Sequence, residues 1–467
     1  GGESRQLASI SRSLTGAKWH FEDESVRVNV HASKDTLRQY VLELRANGTS
    51  GPYALLGDGA IVNSEKVEII TRDRNALGQV VRVESFQRFV DYEIEPFNRS
   101  LLFKAPVASF DANLNPRFIK VTYEVAQGGE PFWIAGLDTL IKVNDSVSLG
   151  GLVHKDHNPL QPLSVYGLSM IAKTTEFSTV TAELAATDRH GVASLTGTSG
   201  QGGAGRIVFK QDDPKNHTQI TISAAKTGIE FDNPTSSMPA GRVEIKGIAK
   251  QKINADHVLL AEGNDSNDLI QGNQRKNYAL KLESQLAPQT RLTLSMNAIS
   301  ERVVSSKGVQ SDDLTTLGAK IQTGVDALPG LGVYVEAEQS IDDASRRMLA
   351  VGGEYKLPSN TRLYGRYEVI DDLRRLTNPL ADTRPGALVG VEHPFSVDGR
   401  AFTEYRARDG TDGPLTEAAI GLRQTFKLSE DWRVTGSFEK VEPLSEAATA
   451  SASVAATVGL EYLNDHD

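Results

Sequence analysis

The chain of 467 residues contains no cysteine, which excludes a disulfide framework, thiolate metal sites and a cysteine nucleophile. It also lacks any run of the roughly 18 to 20 consecutive apolar residues that a membrane-crossing helix requires. That absence is silent about strands, which spread their hydrophobicity over a period of two. Aromatic residues make up only 6% and hydrophobic residues 39%, little for a chain of this length built on one large core, so burial is expected to be thin and spread out. Basic residues are not in excess: 50 Lys and Arg face 60 Asp and Glu, for a formal charge of −10. Without a basic stripe to hold phosphates, nucleic acid is not expected as a partner. The opening "GGESRQLASISRSL" has neither Met nor a hydrophobic signal core, and reads as a processed chain whose export signal lies outside it.

What is present is β-like throughout. Between Ser25 and Val125 the runs "SVRVNVHAS", "RQYVLELRA", "EKVEIITRD", "VVRVESF", "VDYEIEP", "SLLFKAP" and "FIKVTYEVA" alternate β-branched or aromatic residues with polar ones, and Gly, Pro, Asn and Asp separate them. Short strands at this spacing are the mark of a small β-sandwich. Within them, "FVDYEIEPFNRSLLFKAPV", Phe89 to Val107, resembles a hairpin of the immunoglobulin-like repeat modules of large bacterial surface and outer-membrane proteins. That resemblance implies an immunoglobulin-like β-sandwich over residues 1–128.

From Phe132 onward the grammar changes to strands of about ten residues joined alternately by short and long connections. "FWIAGLDTLIKV" pairs with "SVSLGGLVH" through Asn144 and Asp145, and "MLAVGGEYKLPSNTRLYGRYEV" folds back at Pro358, Ser359 and Asn360. Leu286, Leu328, Leu357, Phe395 and Leu428 each precede such a turn. The longer connections include "RHGVASLTGTSGQGG", "GIEFDNPTSSMPA", "EGNDSNDLIQGNQR" and "DDLRRLTNPLADTR". Short turns on one rim and long polar loops on the other fit a transmembrane β-barrel. The expected fold is therefore all-β: a β-sandwich over 1–128, then a large antiparallel barrel of about 18 to 20 strands over 129–467. A first connection of the short kind puts the N-terminal domain at the exterior or rim of that barrel.

The alternation assigns faces. Arg362, Arg366, Glu368, Glu336, Glu338, Lys281, Glu283, Arg400, Glu404 and Arg406 are expected to face a lumen. Leu363, Tyr367, Val369, Val333, Val335, Leu292, Leu294, Trp432, Val434 and Phe438 are expected to face lipid. The mixed signs of the first set suit a hydrated wall or a network around a plug better than an ion-selective filter.

No grouping carries covalent chemistry. "HKDH" sets His154 and His157 three apart in an expected loop, without a third ligand, and reads as two solvated histidines. "DANLNP", with Asp111, Asn113 and Asn115, and "NDSND", with Asn264, Asp265, Asn267 and Asp268, are the places where Ca2+ would bind. Both lack the closing bidentate Glu of a calcium loop, and an Asx turn and a solvated loop are the plainer readings. "GTSGQGGAG" precedes a strand where a phosphate loop would precede a helix. Neither catalytic residues nor a cofactor are expected.

The combined pattern resembles large Gram-negative outer-membrane β-barrel proteins preceded by immunoglobulin-like surface repeat modules. It implies a location in that membrane, with lipid and other envelope or surface proteins as partners, and a non-enzymatic role as a translocation pore or as the anchor of a surface structure. The alternative is a soluble extracellular adhesin or carbohydrate-binding protein built of β-sandwiches.

Overall fold

The computed structural model describes residues 5–462 apart from 55–63, 96–99, 104–106, 112–114, 190–199, 374–385, 446–451 and several shorter stretches. Every element among these residues is a β-strand. Among the described residues no helix is long and apolar enough to cross a membrane, a criterion that does not apply to strands.

The chain opens with a hairpin of β1 (Gly16–Glu22) and β2 (Val26–Asp35). It then leaves for a separate set of strands: β3 (Leu37–Arg45), β4 (Tyr53–Ala54), β5 (Lys66–Asp73), β6 (Ala76–Phe86), β7 (Tyr92–Glu95), β8 (Ser100–Phe103) and β9 (Arg117–Ala126). These form a four-stranded sheet, β3-β9-β5-β6, and a three-stranded one, β4-β8-β7. Both contribute to one buried cluster, with Val67, Ile69, Ile119, Val121 and Tyr123 from the first and Tyr53, Tyr92, Leu101 and Phe103 from the second. The edge-on contact of Tyr53 with Phe103 adds to the apolar burial that holds these sheets together.

The chain rejoins the first hairpin at β10 (Phe132–Lys142), which pairs with β2 on one side and β11 (Val147–Asp156) on the other. An antiparallel meander follows through β12 (Leu163–Thr175), β13 (Ser178–Arg189), β14 (Gly200–Asp213), β15 (Thr218–Thr227), β16 (Arg242–Lys252), β17 (His257–Asp268) and β18 (Gln274–Ala287). It continues through β19 (Thr290–Ser305), β20 (Gly308–Gly324), β21 (Leu331–Ser340), β22 (Arg347–Lys356) and β23 (Arg362–Asp371). The last strands are β24 (Gly386–Ser396), β25 (Gly399–Gly410), β26 (Gly413–Lys427), β27 (Trp432–Pro443) and β28 (Ser453–Tyr462). Together with β1 and β2 they make a 21-stranded sheet.

Two boundaries differ from the sequence expectation. The large sheet starts at Gly16 and not at residue 129, because β2 finds its ladder partner in β10, Phe132 opposite Asp35, across the whole intervening unit. The unit itself therefore spans the strands between Leu37 and Ala126, and is an insertion in a hairpin. "EGNDSNDLIQGNQR" is also largely strand: β17 and β18 run through it and leave only a tight bend at 269–273, where Asp268 accepts from the Ile270 and Gln271 amides.

The connections sort by rim. The β1–β2, β10–β11, β16–β17, β18–β19, β22–β23 and β24–β25 turns are all brief and share one rim. At 357–361 the turn is closed by Asn360 in the left-handed region, φ 60°, a conformation Asn tolerates. The opposite rim carries the longer connections, among them 228–241, and it is there that the inserted unit departs and returns. Among the described residues β1 pairs only with β2 and β28 only with β27.

Candidate functional site

One face of the large sheet is apolar and open. Leu137, Leu168, Leu184, Ile207, Ile222, Ile245, Leu294, Leu317, Val335, Val351, Tyr367, Val389, Ile420 and Leu460 are all exposed on it. The opposite face buries charge: Glu183, Arg275, Glu301, Arg366, Glu368 and Glu439 are all nearly inaccessible there. A soluble protein arranges these the other way, since charged groups are almost never fully buried unless paired and large apolar patches are rarely left open.

Arg275 pairs with Glu301 and Arg366 with Glu368, and the group on β21 to β25 is organised around glycine. Tyr334 on β21 lies opposite Gly352 on β22, and Tyr364 on β23 opposite Gly390 on β24. A β-carbon at Gly352 would sit 2.5 Å from the Tyr334 hydroxyl, and one at Gly390 would sit 2.3 Å from the Tyr364 ring. The glycines thus let each ring lie across the neighbouring strand. Cations cover the rings: Lys320 stands 4.4 Å above Tyr334, and Arg362 stands 4.6 Å above Tyr364. Arg366 donates from Nε to Glu368 at 2.9 Å and from its other arm to the Tyr334 hydroxyl at 3.2 Å, with Glu336 at 3.4 Å. Tyr364 donates to Glu404 at 2.6 Å, and Glu404 also takes Arg406. Lys320, Tyr334, Arg362, Tyr364, Arg366 and Glu404 line a cavity of about 440 Å3 that Ala108 and Asp111 of the inserted unit also border.

The inserted unit is fixed to this face at two distant places in the sheet. At β27, Glu439 accepts from the Ser50 amide and hydroxyl, and Gly48 lies close to the Arg406 guanidinium. At β11, Arg12 joins both bodies: it holds Glu124 of β9 through two bonds of 2.7 and 2.9 Å and Asp156 through one of 2.5 Å. Burial works against the Arg12 charge, but Glu124 and Asp156 outweigh it and hold the guanidinium above its ordinary range. The residues before Arg12 form a strap along the same face. Glu183 accepts the amides of Gln6, Leu7 and Ala8, each at 2.9 Å, and Leu7 packs with Leu152, Val165 and Phe231.

The sequence-assigned residues fall on these two faces as follows. Arg362, Arg366, Glu336, Glu368, Glu404 and Arg406 converge around the cavity. Glu338 receives Asn297 and Thr316 on the same face, Lys281 pairs with Glu262, and Arg400 pairs with Glu392. Glu283 stands two residues along β18 from Lys281, hence on the same face. Leu363, Tyr367, Val333, Val335, Leu294, Trp432 and Phe438 are exposed on the apolar face, and Leu292, Val369 and Val434 share its register.

The histidines differ from expectation. The first three residues of "HKDH" end β11, so period two sends His154 inward to full burial, whereas His157, just past the strand, is exposed and bonded to the Trp133 carbonyl. "GIEFDNPTSSMPA" is the long connection expected, and it packs down on the strap: Phe231 is buried and Asn233 donates to Leu7 and Ser9. Asp111 accepts from the backbone and side chain of Asn115, four residues on, while Asn113 lies outside the described residues. Among the described residues no group of three or more His, Cys, Asp or Glu could hold a metal ion.

No family model and no curated protein matches the chain. Among solved structures, the ferric-catecholate import receptor Fiu from E. coli K12 aligns with TM-score 0.36 and 11% identity over 71% of this chain and 72% of that one. The siderophore receptor PirA from Pseudomonas aeruginosa gives 0.39 and 10% over 94% and 80%. The RagAB peptide transporter gives 0.33 and 11% over 70% and 51%.

Proposed function

We propose that this chain is an outer-membrane β-barrel whose lumen is filled by the inserted unit, and that it acts as a passage for polar solutes held closed by that unit. The observation that carries the reading is the inversion of the sheet, with an open apolar face and a charged, buried one to which a folded insertion is bonded at both β11 and β27. Each large apolar side chain moved from water into an apolar surrounding gains about 1.5–3 kcal/mol. Summed over the open face, this favours lipid as its solvent. The bonds at β11 and β27 require the sheet to curl around the insertion, and closing β1 towards β28 completes the barrel. A barrel of some twenty strands is wide enough to need a plug.

In this reading the residues around the cavity face the lumen and the Leu363, Val335 and Phe438 set faces lipid. The paired charges at Arg366, Glu368, Glu404 and Arg406 make a hydrated wall of no net sign, suited to polar solutes more than to one ion. The long-connection rim, where the insertion enters, is the exterior side. The insertion is a β-sandwich domain spanning 37–126.

Two measurements test the proposal. The purified protein should require detergent and migrate differently on a gel before and after heating; a monodisperse preparation in plain buffer overturns the membrane reading. In planar bilayers the wild type should give no steady conductance, whereas Glu439→Ala should give intermittent openings. A variant that stays silent despite a released insertion favours a membrane anchor.

A further inference from the structure

His31 on β2, Gly136 on β10 and His154 on β11 are register partners in one row across three adjacent strands, all on the charged face. Strands lie about 4.8 Å apart, so two side chains separated by an intervening strand start nearly 10 Å from each other. Here the ring centroids are only 5.5 Å apart. The rings can lean together because the residue between them has no side chain: a β-carbon on Gly136 would sit 2.8 Å from His31 Nε2 and 3.2 Å from His154 Nδ1. His31 Cε1 is nearer still, at 2.3 Å, so an edge of each ring, carrying His31 Nε2 and His154 Nδ1, borders one small volume above Gly136.

That volume has the marks of a built site. His154 is 1% exposed, and its Nδ1 has no hydrogen-bond partner, a state that costs free energy unless something occupies the position. The pair borders a cavity of about 400 Å3 that also meets Asn29, Asp138 and the strap residue Arg5. The nearby cations are largely offset. Arg12 is bracketed by Glu124 and Asp156, and Arg5 is bonded to Asp138. Lys18, the register partner of His31, remains as one positive charge against the extra negative charge of the Arg12 group.

We propose that His31 Nε2 and His154 Nδ1 bind a late first-row transition-metal ion over Gly136, with the remaining coordination positions open to water or a small ligand from the cavity. Neutral imidazoles suit copper, nickel and zinc, and with only two protein donors the Irving–Williams order puts Cu2+ first. Metal–nitrogen bonds are near 2 Å, so on binding the two rings turn to bring the nitrogens that border the space above Gly136, 2.8 and 3.2 Å from its β-carbon position, onto the ion. The site is independent of the passage, since it joins the first strands of the sheet beneath the N-terminal strap.

The test is a Cu2+ titration of the purified full chain, read by electron paramagnetic resonance, with Zn2+ as competitor. One equivalent should bind with a two-nitrogen hyperfine pattern. His31→Ala and His154→Ala should each weaken binding at least tenfold, and His157→Ala should leave it unchanged. Gly136→Ala should also abolish the two-nitrogen signal although both ligands remain, because the methyl fills the site; if that variant fails to fold, His31→Asn and His154→Gln serve in its place. An unchanged signal in the His31 and His154 variants, or loss in His157→Ala, assigns the ion to exposed histidines and overturns the proposal. So does absence of copper binding.

Discussion

Glu439 on β27 accepts both the backbone amide and the hydroxyl of Ser50, so a residue near the end of the sheet holds a loop of the unit inserted near its beginning. Both groups are buried, and losing the acceptor strands an amide. Glu439→Ala should cost about 1–3 kcal/mol at this contact. Limited proteolysis checks it: the insertion, residues 37–126, should become cleavable while the large sheet keeps its heat-modifiable band. Unchanged cleavage would mean that Glu439 does not hold the insertion.

Arg12 is the counterpart at β11. Arg12→Ala leaves Glu124 and Asp156 buried without their cation, and removal of one member of a buried ionic group costs about 3–5 kcal/mol. The denaturation midpoint should drop accordingly. Arg12→Lys should recover only part of the loss, because an ammonium cannot reproduce the two parallel bonds to Glu124.

Val335 tests the solvent of the open face, where it is exposed in the middle of β21. Val335→Arg should cost about 2–4 kcal/mol if that face meets the bilayer midplane. In water the same change should stay within about 0.5 kcal/mol. Folding yield into vesicles, compared with that of the wild type, separates the two.

Tyr123, buried in the insertion beside Tyr40, has its phenol pushed up to about 12, by burial first and by Tyr40 second, against a pull down from Arg38. The unfolded phenol ionises near 10, so between about pH 10 and 12 the folded state holds a proton that the unfolded state has lost. Stability of the insertion should therefore fall as pH rises through that window. Comparing denaturation midpoints at pH 9 and 11 should show this slope in the wild type and its reduction in Tyr123→Phe.

The alternation of apolar and polar residues along Leu363 to Val369 or Trp432 to Phe438 determined, from sequence alone, that the strands exist, how they pair into hairpins and which residues share a face. Period two is a local property of the chain, and turn residues such as Pro358, Ser359 and Asn360 mark where it reverses. Only the tertiary structure decided that β2 crosses the whole insertion to pair with β10. The same holds for Ser50 meeting Glu439 and for His154 turning from its neighbour His157 towards His31. Those contacts join residues far apart in the chain, and their partners are chosen by ladder register and by where glycine leaves room, neither of which local periodicity records.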